Sequence, residues 1–256
     1  MLHKWIYNRI NLALAISGVI KQNLIDTTPL TEDKIILLYN AIDVNRFNPE
    51  KFDRRKIREE FNIDNTEILI GMNARFSPGK GYEEFLHAAK ELSEQYKNVR
   101  FIAVGGPSKG EDDYAMEIKT MASNLGLDGK VIFTGFRNDV PEILASLDIF
   151  VFPSHAEAFG LALVEAMSMK LPSVCSNTDG VLDIAIDHET SLLFKKADYH
   201  DLSEKLSELI NNPDERAIFG NAARKRAVNV FSMKLITSKL ISIYKDQIED
   251  AVLIAN

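Results

Sequence analysis

Three short segments combine charged side chains with turn-forming glycines in a way that suits a phosphorylated ligand. In 73–81 (NARFSPGKG), Arg75 and Lys80 bracket a Gly/Pro turn. A guanidinium and an ammonium beside the start of a helix make a site for a multiply charged anion such as a diphosphate; the other reading is a solvated basic turn. The spacing departs from a Walker A loop, which sets P-loop nucleotide hydrolysis aside. In 153–165 (PSHAEAFGLALVE), Glu157 lies in a loop, Gly160 lets backbone approach a ligand, and the amides of Phe159, Gly160 and Leu161 open a helix. Glu165 stands among small and apolar neighbours, where a charge needs a partner. Two adjacent ribose hydroxyls would serve, and so would a lysine at the helix rim. In 135–139 (GFRND), backbone near Phe136 and Arg137 could hold a base; alternatively, Asp139 caps a helix with Pro141 in its first turn. His155 either touches a sugar or acceptor or sits at the solvent edge.

These loops need a scaffold, and the rest of the chain alternates between strand and helix signals. Short apolar runs at 12–17, 35–38, 68–75, 99–105, 130–134, 148–152, 172–175 and 192–194 read as strands. Helical patterns separate them at 18–25, 54–61, 82–96, 114–125, 140–146 and 159–169, and three more follow at 199–211, 213–231 and 233–255. The expected fold class is α/β: a Rossmann-like parallel sheet with helices on both faces. In such sheets ligands bind beyond the carboxyl ends of the strands, where the three charged loops fall. Lys4 and Arg9 ahead of the apolar Ile10–Ile20 resemble a secretory signal, but Asn11 and Ser17 interrupt the run and no small-residue cleavage site closes it.

The chain has 30 Lys and Arg against 37 Asp and Glu, a formal charge of −7, which argues against generic nucleic-acid binding. Its 46% hydrophobic and 26% charged residues exclude a disordered or collagen-like chain. The single cysteine, Cys175, excludes an internal disulfide and reads as a buried thiol in a reducing compartment.

Taken together and in order, the segments resemble the GT-B glycosyltransferases of the GT4 type. EAFGLALVE (157–165) is similar to that family's E-x7-E motif, and NARFSPGKG to its G-R-x-x-x-x-K-G segment. FTGFRNDVPEILASLDIFVFPS (133–154) is similar to its base-binding region, and YNAIDVNRFNP (39–49) to the N-G-I-D-x-x-x-F-x-P stretch joining its two domains. The likeness implies catalytic roles for Arg75, Lys80 and Glu157. The first two would hold the donor diphosphate and stabilise the leaving group electrostatically. Glu157, with the amides of Phe159, Gly160 and Leu161, would face the donor sugar and phosphates. Glu165 would bind the ribose hydroxyls, and backbone near Phe136 and Arg137 the base. The implied reaction transfers a hexose from a UDP- or GDP-sugar, with retention and with neither metal nor other cofactor. The implied acceptor is a polysaccharide, lipopolysaccharide or lipid-linked glycan of the cell envelope. The implied setting is cytoplasmic, with room for peripheral contact at the inner face of the membrane. No D-x-D metal motif occurs, and Glu111-Asp112-Asp113 reads as solvated. Departures from the family pattern fall at Asp179-Gly180-Val181-Leu182-Asp183 (usually Gly-Gly-x-x-Glu), at His188 and Ser191 (usually glycines) and at Asn40-Ala41 (usually Asn-Gly). They are expected to alter loop shape near the donor sugar and leave the fold intact.

At roughly 150 residues per domain, 256 residues allow one or two domains. The resemblance divides them into 1–45, a remnant of an N-terminal acceptor domain with its linker; 46–232, the donor domain; and 233–256, a helix that crosses back. The N-terminal domain is then largely missing, and the apolar face of Ile236, Leu240, Ile243 and Tyr244 is partly exposed. Such a chain would hold a donor without completing transfer by itself. Two other readings are a non-catalytic nucleotide-sugar-binding scaffold and a nucleotide-sugar epimerase on the same fold.

Overall fold

The structure, a computed structural model, describes residues 2–7 and 9–255, with side chains described for 5–7 and 9–249. Met1 and Asn256, the ends of the expected 1–45 and 233–256 segments, lie outside the described residues, as does Asn8. The first elements are α1 (Leu2–Tyr7), β1 (Ala13–Ala15), α2 (Gly18–Thr27) and β2 (Ile35–Leu37). β1 and β2 pair in parallel, Ala13 opposite Ile35, because α2 carries the chain back between them. The strand expected over 12–17 stops at Ala15, since Ser17 turns to cap α2 by accepting from the Ile20 amide at 3.3 Å. The helix α1 falls where the sequence patterns place no element.

After α3 (Arg55–Glu60) the chain builds a second, six-stranded sheet. Its elements run β3 (Ile68–Asn73), α4 (Tyr82–Gln95), β4 (Val99–Val104), α5 (Asp112–Asn124), β5 (Val131–Gly135), α6 (Val140–Ser146), β6 (Ile149–Phe152), α7 (Leu161–Ser168), β7 (Ser173–Ser176) and β8 (Ser191–Phe194). All pairs are parallel, in the order β5-β4-β3-β6-β7-β8. The strand residues alternate between two hydrophobic clusters, as a pleat with both faces covered requires. Ile70, Met72, Ile149 and Val151 join the cluster under α4 and α5, with Phe85 and Leu92. Leu69, Phe150 and Phe152 join the cluster on the other face, with Leu163 and Met167 of α7. Cys175 is fully buried, and burial pushes its thiol up to about 12.

Three helices close the chain: α8 (Tyr199–Asn211), α9 (Pro213–Phe231) and α10 (Met233–Ala255). The linker after β2 is clamped at the junction of the last two. The Ile42 amide donates to the Phe231 carbonyl at 3.0 Å, and the Met233 amide to the Ile42 carbonyl at 2.9 Å. On α10 Ile236 is buried, Leu240 and Ile243 are half-buried, and Tyr244 is exposed, as the sequence led one to expect. Among the described residues no helix is long and apolar enough to cross a membrane.

The strand order reverses at β3. From there the chain winds outward to β4 and β5, then returns to the other side of β3 for β6. The loops leaving the carboxyl ends of β3 and β6 therefore part at a crevice, the general ligand position in this topology. Gly81 joins them. Its φ is +78°, and a Cβ there would stand 2.3 Å from the Pro153 carbonyl oxygen. Gly81→Ala is expected to lower unfolding stability by at least about 2 kcal/mol, through left-handed strain plus that clash, read as a lower urea midpoint at unchanged slope.

Candidate functional site

The β3 loop is shaped by its aromatic residues. Phe76 is buried and stacks on Tyr82 with ring centroids 4.4 Å apart, and the Tyr82 hydroxyl donates to the Ala74 carbonyl at 2.7 Å. The Ala74 and Phe76 amides donate to the carbonyls of Val104 and Gly106. Arg75, held between these anchors, is exposed, and its Nη1 donates to Ser108 Oγ at 3.1 Å. Glu111 is less free than its acidic neighbourhood suggests. The Ser77 hydroxyl, and then the Ser108 amide at 3.0 Å, hold its carboxyl below the usual range.

The β6 loop is tied to the β3 loop and to the turn after β7. The His155 amide donates to the Gly79 carbonyl at 2.8 Å, the Gly180 amide to the Glu157 carbonyl at 3.0 Å, and Thr178 Oγ1 to the His155 carbonyl at 3.1 Å. Residues 179–183, where the sequence departs from the family pattern, form a turn of 3₁₀ helix. The Glu157 carboxylate accepts from Ser154 Oγ at 3.0 Å and forms an ion pair with Lys80. Lys80 and Arg75 thus reach one crevice, but the Lys80 charge is already matched within the protein. His155 sits partly exposed at the solvent edge, with its Nε2 2.9 Å from Glu84 Oε1. The helix expected from Phe159 begins at Leu161, because Gly160 adopts φ +114° as its cap. No side chain caps α7, so its first amides face the crevice with the positive end of the helix dipole.

Glu165 projects from the second turn of α7. It is half-buried, and no side chain among the described residues donates to or pairs with its carboxylate; the lysine partner that sequence allowed is not there. Burial pushes its carboxyl up to about 7, with the Arg46 guanidinium offsetting part of the effect. Asp139 does not cap α6 with its side chain. Its carboxylate accepts from Arg137 Nε at 2.8 Å, and Arg137 also donates to Glu60, so this guanidinium is neutralised twice over. Phe136 is 77% exposed.

The nine residues to which the resemblance gives catalytic or donor-binding roles line two adjoining clefts, whereas His155 does not. One, of about 350 Å³, is walled by Lys80, Glu157, Phe159 and Gly160, with Ser154. The other, of about 340 Å³, is walled by Phe136, Arg137 and Glu165, with Gly105 and Gly106. Arg75 and Leu161 border both, along with Asn73, Ala74 and Ala162. Sequence reasoning assigned no role to Asn73, nor to Ile16 and Asn40, which reach the first cleft from the N-terminal unit. The polar Asn73 at the end of an apolar strand was the one visible signal for it. The contribution of Ile16 and Asn40 depends on tertiary placement.

A family model described as glycosyl transferases group 1 matches residues 53–226. The chain is 27% identical over 244 residues to the capsular polysaccharide biosynthesis glycosyltransferase CapM of Staphylococcus aureus, covering 93% of this chain and 62% of that protein. The crystal structure of Anabaena Alr3699/HepE in complex with UDP and glucose matches with a TM-score of 0.84 at 25% identity, over 92% of this chain and 63% of that one. The crystal structure of a glycosyltransferase from Rickettsia africae ESF-5 matches in fold with a TM-score of 0.90 at 24% identity, over 96% and 66% of the two chains. The chain therefore spans little more than half to three-fifths of the length of the curated relatives it matches. These likenesses agree with the GT-B expectation drawn from its motifs.

Proposed function

Because the chain belongs to the glycosyl transferases group 1 family, we propose that it forms the donor-binding part of an enzyme that transfers a hexose from a nucleotide-diphosphate sugar to a glycan acceptor. The observation that carries this reading is the pair of adjoining clefts. One end offers cations and uncapped helix amides; the other offers an unpartnered carboxylate beside an exposed aromatic ring. A nucleoside diphosphate has the complementary order of groups. Its ribose hydroxyls donate to Glu165, its base lies by Phe136 and the backbone near Arg137, and its phosphates accept from Arg75, Lys80 and the α7 amides. The Anabaena protein, bound to UDP and glucose, supports a uridine nucleotide as the first ligand to try.

In this mechanism the protein stabilises the departing nucleotide. Charge that develops on the diphosphate as the glycosidic bond breaks meets two fixed cations and a helix terminus, with no metal ion taking part. In this reading Glu157 faces the donor sugar, and its pairing with Lys80 means that an incoming diphosphate competes for that ammonium. Transfer proceeds with retention, to a polysaccharide, lipopolysaccharide or lipid-linked glycan, in the cytoplasm or at the inner face of the membrane. CapM, named for capsular polysaccharide biosynthesis, supports a cell-envelope glycan as acceptor.

Calorimetric titration of the chain with UDP and with GDP tests the donor-binding reading. Native protein is expected to bind one of them, and Lys80→Ala to bind it ten- to a hundredfold more weakly, the usual effect of losing a hydrogen bond to a charged group. Silence with both nucleotides at millimolar concentration would overturn the reading.

A further inference from the structure

Asn73 is the last residue of β3, the strand at which the sheet order reverses. Asparagine is disfavoured in strands, and the four residues before it are buried and apolar or glycine. Met72 points into the cluster under α4, so pleat alternation turns Asn73 to the opposite face, toward α7. There it is half-buried, and its carboxamide makes no hydrogen bond to any described residue. Its carboxamide is thus open to the crevice at the carboxyl edge of a central strand, the general ligand position in this topology.

Its place in the crevice says which part of a ligand it meets. Asn73 borders both clefts, with Arg75 and Leu161. A nucleotide whose ribose lies on Glu165 and whose distal phosphate lies by Lys80 must cross that shared border. The group that crosses it is the diphosphate next to the ribose. We propose that the Asn73 side-chain amide donates a hydrogen bond to the diphosphate there, adding a neutral donor to the charged groups on either side. The proposal rests on the donor-binding reading above. A neutral amide suits this position because it satisfies a phosphate oxygen without adding a third cation, whose repulsion would push on Arg75 and Lys80.

The test is calorimetry of Asn73→Ala and Asn73→Asp with UDP and GDP, alongside phosphorus NMR of the bound nucleotide. Asn73→Ala is expected to bind about tenfold more weakly and to shift the bound phosphorus resonances. Asn73→Asp, which sets a carboxylate against the phosphates, is expected to bind more weakly still. Both variants keep a small side chain at a strand end, and thermal unfolding checks that each is folded. Affinity within twofold of native for both variants, with unmoved resonances, would overturn the role of Asn73 while native binding left the donor reading standing. Absence of native binding would overturn both.

Discussion

Glu165→Gln is expected to stabilise the empty protein while weakening its hold on a nucleotide. The carboxyl is pushed from an ordinary 4.5 up to about 7 by burial. Its proton is therefore held more tightly by the folded than by the unfolded chain. Stability from this group is fully present below pH 4.5 and is lost as pH rises through 7, where the folded protein must accept an unpaired, shielded charge. At 1.36 kcal/mol per pH unit the loss is at most about 3 kcal/mol, reduced by the solvent that reaches the half-buried side chain. A glutamine carries no such charge. Denaturation of both proteins should thus give nearly equal stabilities near about pH 4, and a gap in favour of Glu165→Gln that widens to about pH 8. Nucleotide binding should move the other way. Ribose hydroxyls donate best to the ionised carboxylate, so native affinity is expected to fall below pH 7, and the variant's to be low and flat. A variant no more stable than native at pH 8 would show that the carboxylate has a partner in the folded chain. The expected opposition of stability and binding is the familiar cost of a site kept ready for a ligand.

Asp148→Ala is expected to destabilise the protein by about 3–5 kcal/mol, a large share of a typical domain's stability. Asp148 stands just before β6, and its Oδ2 accepts from the Leu69 amide at 2.8 Å and from Arg58 Nη2 at 3.1 Å. Its Oδ1 accepts from Arg54 Nη2 at 2.8 Å. The Arg58 side chain is 1% exposed and also donates to the Glu67 carbonyl at 2.7 Å. Removing the carboxylate leaves a buried guanidinium without its counter-charge and an orphaned amide at the start of the central strand. Asp148→Asn keeps an acceptor but no charge, and should cost about half as much. This network lies at the amino end of β3, away from the clefts at its carboxyl end. Urea denaturation should show the loss of stability, and calorimetry on the folded fraction should show native nucleotide affinity. A weakened affinity per folded molecule would mean that the network reaches the site.

Much of this was legible in the residues themselves. Helices α6, α8, α9 and α10 begin and end where the sequence patterns put them; Pro141 lies in the first turn of α6 as read, and the structure adds an Asp198 cap on α8 and Pro213 at the start of α9. The strands follow short apolar runs, because a strand buried on both faces tolerates little else. The patterns missed α1 altogether, and the other errors fall at ends, as where Ser17 and Gly160 decide a boundary. The candidate residues that line the clefts stood out because charges and glycines in loops after apolar strands are uncommon without a purpose.

The sequence by itself determined the strands and every helix after α1, and which loops carry charge, since both follow from near neighbours and side-chain chemistry. The tertiary structure alone decided the rest. It set β3 beside β6, so that loops more than seventy residues apart share a crevice. It paired Lys80 with Glu157, tied Arg137 to Glu60 and left Glu165 and Asn73 without a side-chain hydrogen-bond partner among the described residues. Pairing and burial are sums over distant contacts, and a window of neighbouring residues does not contain them.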